Sequence, residues 1–172
     1  MTVARILRWV MMAVPLALLP GCGALDKEDQ LRAELADWLY LAETRYFASK
    51  HNCTVAVFDV ARAEVRTVVP RVSSVETALL RIEKGEPVFF RTQQSTPNEI
   101  SQALMSKNLQ KGVGMLTAGT GPTTGCMTDG IAAGYYRILT SDETLTVYDS
   151  AGEALLLIYP PELLAIFLRS SL

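Results

Sequence analysis

The sequence predicts an α+β domain in which an antiparallel sheet, made of one hairpin and a three-stranded meander, is flanked by helices and closed by one disulfide. Three observations support this prediction. Short apolar and β-branched segments separated by turn residues fill the last third of the chain. Helix-capping residues precede apolar positions at three- and four-residue spacing. Two cysteines, Cys53 and Cys126, lie in the body of the chain. About 150 residues suit a single domain over 26–172.

The first element predicted is a helix over residues 26–50. Asp26 is a plausible N-cap, and apolar residues then recur at helical spacing. Such a helix could lie at a membrane surface, but its polar face is mixed in sign, which favours packing on its own domain. The residues that define the periodicity are Leu31, Leu35, Trp38, Leu39, Ala42 and Tyr46.

The next segments predict a hairpin and a helix. Residues 53–60 are rich in β-branched and apolar side chains and form a strand, and residues 65–69 return as its hairpin partner. Ser74 caps a helix over residues 74–84, which Gly85 ends.

A second strand and helix follow. Residues 87–92 predict a strand. Thr96, Pro97 and Glu99 then form a helix start, with threonine at the cap, proline at the first helical position and glutamate at the third. That helix ends before Gly112.

The last third predicts a meander and a closing helix. Its strands are residues 135–140, 144–149 and 154–159, with turn compositions between them. Residues 160–162 then start a helix over 163–168 that is apolar almost all round and must therefore be buried. Its own domain can bury it; the alternative is a docking surface for an envelope protein partner.

The amino-terminal residues predict an export signal. Arg5 and Arg8 precede an apolar run over residues 9–19, which has the length of a secretory signal. Leu19, Gly21 and Cys22 resemble the lipobox of bacterial lipoproteins, although Pro20 departs from the usual pattern. The resemblance implies a signal peptide over 1–21, a lipid on Cys22 and a short tether over 22–25.

The resemblance also implies a location. A lipidated Cys22 anchors the protein to a membrane without crossing it. Gly23 after the cysteine is similar to the pattern of lipoproteins sorted to the outer membrane, with the domain facing the periplasm. The alternative is an ordinary secretory signal cut after Ala24, which would release the domain.

An oxidising envelope predicts a disulfide between Cys53 and Cys126, since Cys22 is lipidated or removed. It would close a loop of about 70 residues, worth about 4 kcal/mol in the chain-entropy treatment. Two buried free thiols are the alternative.

Charge disfavours one class of partner. The full chain has a formal net charge of −2, and removal of Arg5 and Arg8 with the signal makes it −4. Nucleic acid is therefore not an expected partner, because phosphate binding needs clustered basic residues.

The segment 112–134 is glycine-rich, with threonines around Cys126, and predicts a loop whose amide groups could cradle an anion. It resembles neither a complete P-loop, since Thr120 stands where lysine is required, nor a complete dinucleotide loop. A loop that Cys126 staples to the strand at Cys53 is the simpler interpretation. The possible ligand residues are Gly119, Thr120, Gly121, Thr124 and Asp129.

No catalytic residues, metal ligands or cofactors are predicted. His51 is the single histidine, and a Cys126 nucleophile with a His51 base would require the disulfide to be absent. The sequence therefore predicts a non-enzymatic structural or binding accessory of the cell envelope. The alternative is an envelope hydrolase with a site at the loop and carboxylates from the sheet, drawn from Asp59, Asp129, Asp142, Glu143 and Asp149.

Overall fold

The computed structural model describes residues 25–92 and 94–170. The predicted signal peptide and Cys22 lie outside the described residues. Within them the chain is α+β, with five α-helices and seven strands. The helices are α1 (Glu28–Ala36), α2 (Val75–Ile82), α3 (Pro97–Lys107), α4 (Leu109–Gly119) and α5 (Asp129–Leu139). The strands are β1 (Tyr40–Lys50), β2 (Cys53–Arg62), β3 (Arg71–Val72), β4 (Val88–Phe90), β5 (Leu145–Asp149), β6 (Ala154–Tyr159) and β7 (Leu164–Ser170).

All seven strands form one sheet, in the order β1-β2-β7-β6-β5-β4-β3. Five of the strand pairs are antiparallel, and β3 with β4 is parallel. The sheet is therefore mixed, and the prediction of a purely antiparallel sheet holds for all but its β3 edge. The long strand β1 forms the opposite edge.

Each face of the sheet has its own apolar core, because successive side chains of a strand point to opposite faces. In β2, Val55 and Val57 pack beneath α2 to α5, whereas Ala56 and Phe58 pack beneath α1. We call the first side the helix face. The second is the α1 face, covered by α1 and by the segment 63–70, which buries Val65.

The predicted helix over 26–50 is wrong beyond Ala36. The apolar residues Leu31, Leu35 and Leu39 do share a buried face, but the chain turns and then runs as β1 against β2. Lys27 is the N-cap residue of α1 and makes no side-chain cap bond. Asp26 instead pairs with Arg169, with 2.8 Å between its Oδ1 and the Arg169 Nη1.

Two other predicted strands are also wrong. Residues 65–69 do not pair with β2, because β1 takes that place. Residues 135–140 lie mostly in α5, which begins at an N-cap Thr128 whose hydroxyl accepts the Ile131 N–H. The meander exists, but it consists of β5, β6 and β7.

The predicted closing helix over 163–168 is a strand. Pro160–Glu162 forms one 3₁₀ turn, and Leu163 follows with a left-handed backbone, φ 50°. The chain then enters β7, which pairs with β2 on one side and β6 on the other. A strand buried on both faces is apolar throughout, as a buried helix would be. The C-terminal apolar helix through which a partner was predicted to dock is therefore absent, and its residues lie buried in β7.

Several local predictions are confirmed. Ser74 caps α2, its Oγ accepting the Thr77 N–H at 3.2 Å, and Gly85 follows with φ +74°. Thr96 and Glu99 form a reciprocal capping box at the start of α3. The predicted strands near β4, β5 and β6 are present. In the described part of the chain, none of the helices is both long enough and apolar enough to cross a bilayer.

Candidate functional site

The glycine-rich segment 112–134 is helical, which corrects the prediction of a ligand loop. It comprises most of α4, a 3₁₀ segment over Gly121–Cys126 and the first half of α5. Beyond the first turn of each helix, the backbone amides of α4 and α5 are hydrogen-bonded within the helices, so this segment is not the open glycine loop that the sequence predicted. The hydrolase site proposed at a loop here is not assembled as predicted.

The five predicted ligand residues also have separate local roles. Gly119 is buried, and a Cβ there would lie 2.7 Å from the Tyr135 Oη. The hydroxyl of Thr120 donates to the Leu116 carbonyl at 2.8 Å. Gly121 has φ +66°, and its carbonyl accepts the Thr124 hydroxyl. Asp129 lies exposed in the first turn of α5.

The predicted disulfide is present and joins Cys53 of β2 to Cys126, with 6.1 Å between the two Cα atoms. Tyr46 of β1 reinforces the junction, because its hydroxyl donates to the Cys126 carbonyl at 2.6 Å. Lys50 donates to the Gly125 carbonyl beside it. The disulfide holds the 3₁₀ segment against the sheet and occupies the sulfur that a Cys126 nucleophile would need.

The carboxylates considered for acid-base chemistry are dispersed. Asp59 pairs with Arg45, with 2.7 Å between the Arg45 Nη2 and the Asp59 Oδ1. Asp149, at the other end of the sheet, accepts the Ala151 N–H. Asp142 and Glu143 are exposed in a turn. Among residues 25–92 and 94–170, no group of three or more His, Cys, Asp or Glu side chains could hold a metal ion.

A different set of residues does converge. The nine arginines of the described residues fall into two groups. Four form ion pairs: Arg45, Arg81, Arg137 and Arg169. The other five form no ion pair with any described carboxylate, and all lie on the α1 face. We call them, together with the surface between them, the arginine surface; they are Arg32, Arg62, Arg66, Arg71 and Arg91.

Tyr40 organises one half of the arginine surface. It is the first residue of β1 and lies opposite Arg62 in the β1–β2 register. The guanidinium carbon of Arg62 lies 5.3 Å from the Tyr40 ring centroid, and that of Arg66 lies 4.3 Å from it. Such stacking orients a guanidinium while leaving its N–H groups available. The Arg66 backbone N–H donates to the Trp38 carbonyl, which fixes the segment 63–70 at the end of α1.

The first cleft of the surface, of about 490 Å³, lies beside this stack. Arg32 and Arg66 are its charged lining residues. Arg32 is positioned by bonds of 2.7 Å to the Thr44 hydroxyl and the Ala42 carbonyl. The remaining lining is Ala33, Ala36, Leu39, Tyr40, Leu41 and Ala61.

The second cleft, of about 410 Å³, lies on the other side of the segment 61–66. Arg71 stands over the Phe89 ring at 5.9 Å and donates to the Val65 carbonyl. Arg91 shares the lining, and Glu64 supplies the single acidic side chain of the lining without pairing with either arginine. The rest of the lining is Ala63, Val65, Phe89 and Leu145.

A third cavity, on the helix face, has its charges neutralised. It measures about 170 Å³ between α5 and the sheet and has an apolar floor that includes Val57 and Ile166. The arginines at its mouth, Arg45 and Arg137, are each paired with a carboxylate. The hydrogen bond from Arg137 lowers the pKa of Glu162 below its ordinary value of 4.5.

Tyr135 is the largest fully buried side chain, and its hydroxyl finds no partner among the described residues. Burial raises the pKa of Tyr135, so the phenol is neutral at physiological pH. The hydroxyl lies against Gly119, which places it in the packing between α4 and α5. Burial likewise raises the pKa of Tyr148 to about 12.

Sequence reasoning missed the arginine surface. The net charge of the chain is negative, and it gives no information on where the arginines lie. It therefore does not show that the arginines without ion pairs lie apart from the paired ones. A local signal exists: Arg62, Arg66 and Arg71 follow one another at short intervals directly after the strand that begins at Cys53. Arg32 and Arg91 are distant in sequence and join them only through the fold.

Comparison with known proteins returns no similarity: no family profile, no curated protein and no solved structure matches the chain.

Proposed function

We propose that this protein is a lipid-anchored, non-enzymatic binding accessory of the bacterial cell envelope. Cys22 carries the lipid, and the domain faces the periplasm, at the outer membrane as Gly23 suggests. The arginine surface is where the domain binds an anionic partner. The observation that carries the proposal is the group of five arginines with no carboxylate partner among the described residues.

Unpaired arginines at one place favour a binding role. Each guanidinium has five N–H donors in a fixed fork that matches carboxylate or phosphate geometry. The Arg62, Arg66 and Arg91 side chains donate no hydrogen bond to a described residue. Arg62 and Arg66, which share the Tyr40 ring, repel one another, and a bound anion would relieve that repulsion.

The tether supports a fixed orientation. Asp26 is held by Arg169, whose side chain is only 21% exposed, and Asp26 follows the proposed lipid site by four residues. A chain so short spans about 14 Å at most. Arg169 lies opposite Thr54 and Ala154, near the start of β2, whereas Arg62 lies at the end of β2. The arginine surface is thereby directed away from the anchored end.

The anchor is tested by intact mass. The protein from the membrane fraction should begin at Cys22 and carry acyl mass, and Cys22→Ser should abolish both the mass and the membrane association. A chain that begins after Ala24 and is soluble would refute the anchor.

The binding surface is tested by photocrosslinking in the native envelope. A photoreactive residue at Val68, 63% exposed beside the arginines, should crosslink to a partner. The matched control is Leu80, 64% exposed on α2 of the helix face, which should not. The Val68 crosslink should disappear in Arg62→Gln/Arg66→Gln. Equal capture at both positions, or capture that persists without the arginines, would refute the assignment.

A further inference from the structure

We propose that the arginine surface binds an elongated peptide segment of a protein partner, one that alternates or mixes carboxylate and apolar side chains. This inference rests on the proposed function and specifies the chemistry of its ligand.

The charged part of recognition comes from guanidinium groups that stacking holds in place. Arg62 and Arg66 both lie against the Tyr40 ring, and Arg71 lies over the Phe89 ring. An arginine oriented in this way loses less side-chain entropy on binding than a free one. Carboxylates, which accept two parallel N–H bonds, are the side-chain groups that fit it.

The apolar part distinguishes a peptide from a simple polyanion. Among the apolar lining residues, Leu41 and Ala61 keep exposed surface in the first cleft and Leu145 keeps it in the second, whereas Leu39, Val65 and Phe89 form the buried floor. Polyphosphate and lipid headgroups have no apolar groups to bury there. Aliphatic and aromatic side chains of a peptide would remove these surfaces from water, which is favourable by about 25 cal/mol per Å².

The arrangement of the two clefts is the reason that we expect an elongated ligand. Ala61 and Arg66 line the first cleft, while Ala63, Glu64 and Val65 line the second, so the segment 61–66 separates them. A ligand that uses both clefts must cross this segment. An extended chain, with successive side chains on opposite sides, can do so.

A membrane surface is disfavoured as the occupant. Arg62 and Arg66, stacked on Tyr40, lie beyond the carboxyl end of α1, and Arg32 lies in its middle; α1 is about 14 Å long. Besides Glu34, which is paired with Arg169, its exposed side carries Asp29 and Asp37. These carboxylates would approach the bilayer with the arginines and repel anionic lipid.

The test uses the full chain purified from membranes in neutral detergent. The probe is a fluorescein-labelled heptapeptide, Glu-Leu-Glu-Phe-Glu-Leu-Glu, with binding followed by anisotropy. We expect saturable binding that weakens at least tenfold when glutamine replaces its glutamates, and also when serine replaces its apolar residues. Inorganic polyphosphate and glycerophosphoglycerol, the headgroup of phosphatidylglycerol, should compete poorly.

Matched variants assign the binding to the surface. Arg66→Gln should weaken peptide binding about tenfold, as expected for loss of a charge-assisted hydrogen bond, and Arg66→Lys should retain part of it. Arg81→Gln removes the same charge from the helix face and should change binding less than twofold. Glu64→Gln should strengthen binding severalfold, because it removes a repelling carboxylate from the second cleft. Unchanged melting temperatures show that the variants are folded.

The outcomes separate this inference from the function on which it rests. If the serine-substituted peptide and polyphosphate bind as tightly as the probe, and Arg66→Gln weakens both, the ligand is a general anion; the peptide is refuted and the binding surface stands. If no anion binds, or Arg81→Gln weakens binding as much as Arg66→Gln, both proposals fail.

Discussion

The two faces of the sheet differ in how their charged residues are satisfied. On the helix face, Arg45, Arg81 and Arg137 each find a carboxylate, and the disulfide joins the sheet to the 3₁₀ segment beside it. On the α1 face, only Arg169 does so, and five arginines remain without ion pairs to described residues. A paired charge contributes to the fold, whereas an unpaired one retains its capacity to bind. On this basis, the charged residues of the helix face serve mainly the structure, whereas the arginine surface on the α1 face is available to a ligand.

The helix face should depend on its disulfide. Replacing Cys53 and Cys126 by alanine should lower the free energy of unfolding by about 4 kcal/mol, because the crosslink spans 73 residues and restricts the unfolded chain. For a domain of this size that corresponds to a melting temperature about 10 °C lower. Reduced wild-type protein serves as the control and should match the variant. Equal stability of oxidised and reduced protein would contradict the prediction.

The α1 face should depend on apolar packing instead. Leu35→Ala should cost about 3 kcal/mol, since Leu35 is fully buried under α1 and its truncation leaves a cavity. The control is Leu80→Ala on α2, where an exposed leucine should change stability by less than about 0.5 kcal/mol. Chemical denaturation measures both. A small effect at Leu35 would mean that α1 is not an integral part of the domain, and would remove the argument for a fixed tether.

Substitution of an ion-paired arginine should destabilise the fold more than substitution of an arginine without an ion pair. Arg169→Gln should cost about 2 kcal/mol, because Arg169 donates charged hydrogen bonds to Asp26 and Glu34 and leaves both carboxylates unpaired when removed. Arg66→Gln should cost less than about 1 kcal/mol, since an exposed cation–π contact with Tyr40 is all that it loses. If Arg66→Gln were as costly as Arg169→Gln, the arginine surface would be structural rather than ligand-binding.

The smallest expected effect concerns pH. The hydrogen bond from Arg137 lowers the pKa of Glu162 below 4.5 in the folded protein, so this pair stabilises the fold above that pH. The contribution is lost as pH falls through the lowered pKa. The stability difference between wild type and Arg137→Gln should be constant above pH 4.5 and shrink below it. Carboxyl NMR titration should show the pKa of Glu162 rising in the variant; an unchanged value would refute the pairing.

Local sequence signals predicted the elements whose chemistry is local. Ser74 caps α2, and Thr96 with Glu99 caps α3, because a capping bond forms between residues three apart whatever surrounds them. The disulfide was also predicted correctly, from the expectation that Cys22 is lipidated or removed, which leaves one intramolecular pairing. Signals of this kind need no knowledge of the rest of the fold.

The wrong predictions came from sequence patterns that are compatible with more than one type of secondary structure. The residues of β1 follow α1 without a break in apolar spacing, and only pairing with β2 makes them a strand. β7 is apolar throughout because both of its faces are covered, and a buried helix would show the same composition. Gly112 and Gly119, which suggested a loop, are helical positions where a Cβ would meet Met105 and the Tyr135–Leu155 contact.

The sequence by itself determined the caps, the cysteine pairing and the acidic net charge. Tertiary structure decided the strand order, the identity of β1 and β7, and the candidate site. The physical reason is the separation along the chain between the residues that interact. A cap depends on neighbouring residues, whereas Arg32 and Arg66 line one cleft only because α1 and the sheet pack face to face. Which arginines meet a carboxylate, and which remain unpaired, is then a property of the folded surface.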